Sequence, residues 1–539
     1  MSLLDALLLD PAPFDVWIAV RTDGMKGSGT ASDPFDGSTA AKFDAILNSL
    51  PANTRIHLGS GSFDTNGYAD GVSGGWQPKA GMKIEGSGIG VTTLRLVGTS
   101  QNVSYYAIGH ALTTGGSQPN LLDFFEISDL TIDCNLTGQT PTQVSCAAIR
   151  IMGNHCRIRR VKAKNWGTKY GPNRCYVISA IIADPSSGVM EVVDAGIEDC
   201  IVVEPATASI PTTTYVTLIH AGGLEGSTHV ESFGRAPFIR NCFLDGGTLT
   251  SGPELRGLSM SWCRGGVIEG NQIHNIKHGG PYQDKTSTRD LIVRNNHYRN
   301  VWKGPFFNLP TYGPSVGTAT LSKTGVVVTA TTTPDHKLFT RDRVMLDASP
   351  DTFDGWAEIT VTANNKFTYN TSVSGTPVSA SVIQKVFGVD RLVIEGNSIS
   401  LAPNTSGNVD DVVGIYLNGA GLGPTDSTYP TYPHGDVIVR NNKIRFLDGA
   451  YEANFIGYGL QLNGAKRLIV ENNVIESAQP NPMRNVRCGS VKYSNNRTFA
   501  GVLIRGYREA IIGGAGELYY DDLETDAEDA FVMAMFNER

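Results

Sequence analysis

Ile197-Glu-Asp-Cys200-Ile, Ile239-Arg-Asn-Cys242-Phe, Ile268-Glu-Gly-Asn271-Gln-Ile, Val293-Arg-Asn-Asn296-His, Ile394-Glu-Gly-Asn397-Ser-Ile, Val439-Arg-Asn-Asn442-Lys-Ile, Val470-Glu-Asn-Asn473-Val-Ile and Tyr493-Ser-Asn-Asn496-Arg are versions of one short stretch. Each is an alternating strand that reaches a bend at Asn or Cys and sets off again, usually with an apolar residue close behind. A repeated unit of this kind fixes an architecture before any other reading begins. With the last residue of the bend as a register mark, weaker copies put Leu130 and Val161 at the same place, in Ile127-Ser-Asp-Leu130-Thr-Ile132 and Ile158-Arg-Arg-Val161-Lys-Ala163. The shortest interval, Asn473 to Asn496, is about 23 residues, and the others are longer and irregular. A nearly constant minimum with variable excess describes stacked coils joined by loops of unequal length.

A second, fainter set of strands precedes many of the bends: Ala148–Ile151, Gly257–Met260, Gly414–Leu417 and Gly459–Leu462. Their period-two alternation puts one face inward and one outward. The pattern predicts an all-β chain wound as a right-handed parallel β-helix of about ten to twelve coils, a rod about 50 Å long at the usual strand spacing. Asn271, Asn296, Asn397, Asn442, Asn473 and Asn496 then stack at one inward bend. Each amide can donate to one neighbour and accept from the other, satisfying polar groups that the bend would bury unpaired. Cys200 and Cys242 continue the line as small, buryable residues.

On the coil pattern and this Asn line, residues 50–515 resemble the pectin-lyase-like superfamily, which includes pectate lyases, polygalacturonases, alginate lyases and phage tailspikes. The resemblance implies the β-helix and a polysaccharide as partner. It does not choose a reaction, because this scaffold carries many unrelated activities.

Composition narrows the classes. The chain has 539 residues and a net charge of −8, so the basic stripe expected of a nucleic-acid binder is not indicated. No apolar run reaches the roughly 20 residues that span a bilayer. Eight cysteines are scattered without a Cys-x-x-Cys pair, which argues against zinc and for buried free thiols. The first residues carry Asp5 and no basic leader, so no secretory signal is expected there. An extracellular or particle-associated setting is expected on the resemblance.

The expected organisation has five parts. Residues 1–50 are an N-terminal segment ending in a capping helix from Ser38 to Leu50, with Phe43, Ile46, Leu47 and Leu50 on one face. Residues 51–315 and 387–515 are the two parts of the β-helix. Between them, 316–386 is a small all-β module rich in Thr and Val, similar to a module of phage tail proteins. Residues 516–539 are an acidic helix or tail in which Thr525-Asp-Ala-Glu528 reads as a capping box. The termini are the expected places for assembly into a homo-oligomer or a larger particle.

Chemistry is expected on the wide excursions between 161 and 296 and their edges. A lyase acting on an acidic glycan needs a base for the C5 proton and a cation for the carboxylate, and His274, His278, Arg256 and Lys285 suit those roles. A glycosidase needs two carboxylates, for which Glu254 and Asp284 are the leading pair and Asp245 the third choice. His220, Tyr282, His297 and Trp302 are the candidate substrate contacts. No metal or cofactor is expected, and calcium carboxylates cannot be matched. The polygalacturonase signatures are also missing: Asp410-Asp411 follows His278-Gly-Gly, the reverse of that family's order. Two functions follow as expectations: a polysaccharide-binding β-helix that cleaves its ligand as lyase or hydrolase, or a non-catalytic structural or adhesive component of a phage-like particle or surface assembly.

Overall fold

Inward Ile and Val residues at every second position can be shared by successive turns of the chain only if those turns lie in register, and they do. In the computed structural model, which describes residues 14–518 apart from loops such as 183–190, 224–232, 403–411, 419–433 and 448–457 and shorter stretches, three long parallel ladders run side by side. One passes from Phe14–Ala19 through Glu126–Asp133, Gly196–Glu198 and Ile292–Arg294 to Ser490–Ser494. The second carries Gly61–Thr65, Phe243–Asp245, Gln272–His278 and His297–Lys303. The third carries Ser104–Gly109, Tyr215–Gly223, Glu254–Ser261, Tyr282–Gln283, Phe306–Phe307 and Val413–Leu417. A short fourth ladder joins Glu191–Val193, Phe233–Arg235, Cys263–Arg264, Ser287–Arg289 and Gly388–Asp390. Partners belong to consecutive passes of the chain, which is a parallel β-helix.

The core is the stack this register creates. Ile197, Ile239, Ile268, Val293, Ile394, Val439 and Val470 are buried in line, one per coil. Burying each such side chain contributes about 2 kcal/mol. The residue before each ladder position, whether Asp199, Asn241, Gly270, Asn295, Gly396, Asn441, Asn472 or Asn495, has a φ between 51° and 68°. Asp, Asn and Gly tolerate the left-handed region best, which explains their recurrence in the repeat, although the weaker copy ending at Val161 places Arg160 there.

Past that bend the asparagines form the predicted line. Nδ2 of Asn271 donates to Oδ1 of Asn296 at 2.8 Å, and the bond recurs to Asn397, Asn442, Asn473 and Asn496 at 2.9–3.0 Å. Each Oδ1 also accepts the backbone N–H of its predecessor. The second hydrogen of each of these Nδ2 groups goes to a strand carbonyl, such as that of Val293 for Asn397. Cys242 closes the line by donating its backbone N–H to Oδ1 of Asn271 at 2.9 Å. All eight cysteines are buried free thiols.

A second column is hidden in the same repeat. Arg159, Glu198, Arg240, Glu269, Arg294, Glu395, Arg440 and Glu471 are register partners in that order, two positions before the bend's end and on the outer face. Charge alternates at every coil, and Arg294 and Arg440 reach Glu269 and Glu395 at 3.0 and 2.8 Å.

The helix runs Ala40–Ser49, with Thr39 capping its N-terminus. Phe43 meets Phe63 at 5.3 Å, and Asp44, also buried, accepts bonds from Thr65 and Asn66 of the strand end beneath. The inserted stretch folds as a separate antiparallel sheet with its own core of Leu321, Val328, Val344, Leu346, Phe367 and Ile383. It begins at Tyr312, earlier than the sequence boundary, because Tyr312–Ser315 pairs with Ser379–Val386. Arg289 binds Asp342, and Arg343 lies 3.5 Å from Asp390, tying the module to the fourth ladder. Residues 1–13 and 519–539, including the acidic tail helix expected from the sequence, lie outside the described residues.

Asn397→Ala removes the acceptor of two Asn296 donors and strands the Val293 carbonyl, so it should lower the unfolding free energy by about 3 kcal/mol. The neighbouring, exposed Asn472→Gly should change it by less than about 0.5 kcal/mol, since glycine accepts the same φ. Denaturant titration of both variants checks the contrast.

Candidate functional site

Four consecutive coils bring the site together. Arg256, His278 and Lys303 are register partners, and Lys303 continues to Val413; Tyr282, Phe306 and Tyr416 are partners one short step along. All of these but Arg256, together with Glu254, line a cleft of about 300 Å³.

Charge at the cleft is tightly shared. Arg256 donates from Nε and Nη2 to the same oxygen of Glu254, at 3.0 and 2.9 Å. Nε2 of His278 is 3.5 Å from that oxygen. Burial, then the nearby charges of Lys303, Arg256 and Lys277, holds the His278 pKa well below the usual imidazole range, so the ring is neutral. Burial also lowers the pKa of Lys277, whose ammonium sits 5.0 Å from the Trp302 ring.

One wall is a column of rings. Tyr282 stacks on Phe306 at 5.0 Å, and Phe306 on Tyr416 at 4.7 Å. The guanidinium of Arg256, from the coil on the other side, lies 3.6 Å from the Tyr282 centroid. Both faces of Tyr282 are therefore covered, and the sugar-stacking role expected of it is corrected: only its rim meets the cleft.

The structure thus gathers Glu254, Arg256, His278 and Tyr282 and separates the rest. His274 lies on the same strand as His278, but Asn275, with φ 56°, turns the chain between them. His274 faces Phe243 and His297 on the second ladder, at 5.1 and 6.2 Å. His220 is fully buried against Tyr176, with Nε2 2.8 Å from the Gly223 carbonyl, so a direct substrate contact is corrected to an internal one. Trp302 is half-buried and packs on the core. Asp245 accepts from Asn275 and the Gly247 N–H, which occupies it in turn geometry. Asp284, Lys285 and the Asp410-Asp411 pair lie outside the described residues. Among the residues lining the described cleft, Glu254 is the one carboxylate.

Phe306 and Tyr416 were missed by the sequence reading. A signal exists: Gly280-Pro-Tyr282, Gly304-Pro-Phe306 and Gly414-Ile-Tyr416 set an aromatic two residues after a glycine. Among the described residues no group of three or more His, Cys, Asp or Glu is arranged to hold a metal ion, and no helix is long and apolar enough to cross a membrane.

In fold the chain is a parallel β-helix. No family model and no curated protein matches it. Among solved structures it is similar to the A-module of the Azotobacter vinelandii mannuronan C-5 epimerase AlgE4, at 10% identity and TM-score 0.37 over 92% of this chain and 97% of that one. It is similar to the Streptococcus pneumoniae surface adhesin PfbA, at 12% identity and TM-score 0.43 over 89% of each chain. It is also similar to the tailspike of the Escherichia coli bacteriophage HK620, at 12% identity and TM-score 0.39 over 94% of this chain and 82% of that one. No site residue is carried over from these likenesses.

Buried histidines make the rod acid-sensitive. Burial pushes His110 and His220 down to about 4 and His434 to about 3, while an unfolded chain titrates near 6.5. The unfolded state then binds more protons in the interval, so this contribution is complete above about pH 6.5 and is lost as pH falls towards 4. Each buried imidazole should add up to about 1.4 kcal/mol per pH unit to the slope. Melting temperatures from neutral pH down to pH 4.5 should fall steadily, and His220→Gln should flatten the profile; an unchanged slope would count against the assignment.

Proposed function

We propose that this chain binds an extended acidic polysaccharide across the cleft of Glu254, His278, Lys303 and Tyr416, outside the cell or on a particle surface, and cleaves it by elimination. The observation that carries this reading is a buried, neutral imidazole, His278, flanked by the cations Lys303 and Arg256. Lys303 supplies the charge for a uronate carboxylate, and His278 takes the C5 proton. The electrons form a C4–C5 double bond as the C4–O bond breaks, the leaving oxygen takes a proton from water, and the hydroxide so formed takes back the proton held by His278. A histidine held neutral by burial is always available but is a weak base. The reaction therefore depends on the cations lowering the acidity barrier at C5. Hydrolysis finds less support, since the described lining offers one carboxylate where the reaction needs two.

A non-catalytic adhesive rod is the second reading. It is favoured by Arg256, which already satisfies Glu254, and by ring faces already stacked on one another.

The test follows ultraviolet absorbance and reducing ends together, over a panel of acidic and neutral polysaccharides, alongside direct binding. Under the proposal, both signals rise with an acidic substrate. His278→Gln should then lower the rate at least about 100-fold with affinity nearly kept, and Lys303→Met should weaken binding about tenfold, some 1.4 kcal/mol. Reducing ends without absorbance would mean hydrolysis. Binding without either signal would establish the adhesive reading, and no binding at all would sink both.

A further inference from the structure

A different edge of the rod carries a residue that the fold does not need. At one corner, each coil passes through a single left-handed residue whose N–H bonds to the carbonyl just before the corresponding residue of the next coil. The series runs Asn53, Gly81, Phe124, His155, Asp194, Ala236, Gly265, Asp290 and Arg391. Asn, Gly and Asp suit this backbone, whereas Phe124 at φ 61°, His155, Ala236 and Arg391 are strained there. Of these, Phe124 is the large apolar one, and it is 60% exposed. An outlier of this kind is a reason to look for function.

Its surroundings are specific. On the side of the following coil, the ring stacks on His155, with centroids 5.1 Å apart and planes 17° from parallel. On the side of the preceding coil, the corner residue is Gly81, and the side chain of Asn53 from the coil before reaches into the place a side chain there would take. Next in the series, Asp194 accepts from Nδ1 of His155 at 3.1 Å and from Nη2 of Arg157 at 2.6 Å, both through Oδ2. Oδ1 lies outside those two bonds. The corner therefore offers an aromatic ring that is largely exposed, with a fixed carboxylate and an imidazole beside it.

We infer that Phe124 and His155 form an accessory sugar-binding platform, separate from the cleft, in which the exposed ring of Phe124 meets the C–H face of a pyranose ring and the His155–Asp194 pair takes its hydroxyls. The inference rests on the glycan reading above but not on cleavage. It would give the rod a second foothold on one polymer, so that weak contacts at two sites reinforce each other when both are engaged.

Hydrogen exchange of the full chain with and without oligosaccharide fragments of the best-binding polysaccharide tests it. Peptides spanning 121–126 and 154–157 should exchange more slowly with ligand. Phe124→Asn should abolish that protection and weaken binding of long fragments about tenfold, while protection of the cleft strands around His278 and Phe306 remains. Because Asn tolerates the left-handed region, the variant's melting temperature should equal or exceed the parent's, whereas a purely structural role would lower it. Protection confined to the cleft would overturn the platform and leave the cleft reading standing. No protection anywhere, with any glycan, would remove both. Protection at 121–126 that depends on protein concentration and not on glycan would make the corner a contact between copies of the chain, and would overturn the inference as well.

Discussion

The later coils of this molecule hang on the amide-to-amide hydrogen bond that repeats from Asn271 to Asn496. A parallel β-helix must turn its backbone inside a dry core, and a turn exposes N–H and C=O groups that the ladders no longer pair. The asparagine side chain reproduces a peptide group at the place where the real ones are left over. Its oxygen takes a backbone N–H and an amide from the preceding coil, and its nitrogen serves a strand carbonyl and the next amide. A slip of one residue would break all of these at once and turn the inward Ile and Val outward. The column thus sets register as well as stability.

Fixed register has consequences on the outside. The Arg and Glu residues that alternate from Glu269 to Glu471 share the register that the asparagines fix, and the alternation continues back through Arg240 and Glu198 to Arg159. Exposed pairs of this kind contribute little each, about 0–1 kcal/mol. Like charges in register would repel, however, so alternation also disfavours shifted pairings of coils. Both left-handed corners are filled mostly by Asn, Asp and Gly, with Arg160 an exception at the first and Phe124, His155, Ala236 and Arg391 at the second. What marks Phe124 is that a large apolar ring is left exposed there.

The fold was legible because its cause is local and repeated: an alternating strand, a residue for positive φ, then a small polar residue for the column. The inserted module was legible from one long interval and a change of composition. Its first strand was not, since Tyr312–Ser315 joins through a partner some seventy residues away. The site was less legible, for physical reasons that differ residue by residue. Counting histidines along the chain grouped His274 with His278, and a single left-handed Asn275 puts them on different ladders. His220 is polar yet internal, because a neighbouring carbonyl satisfies it. Phe306 and Tyr416 are remote in sequence, with the module between them, and meet only once coils are stacked.

The stacking also constrains what the cleft can recognise. Glu254 and Tyr416 are three coil spacings apart, about 14 Å, so a ligand touching both must be extended along the axis. A single small molecule would engage the His278–Glu254 end or the Tyr416 end, not both. The chain leaves the rung of Phe306 for the module and returns at Gly388 on the fourth ladder, where Arg343 is 3.5 Å from Asp390 and Arg289 meets Asp342. That docking holds the two ends of the excursion in place, so the Phe306 rung need not bend to accommodate the insertion. A cleft built from rungs held this way resists induced fit, and its selectivity must come from length, charge and the spacing of its rungs.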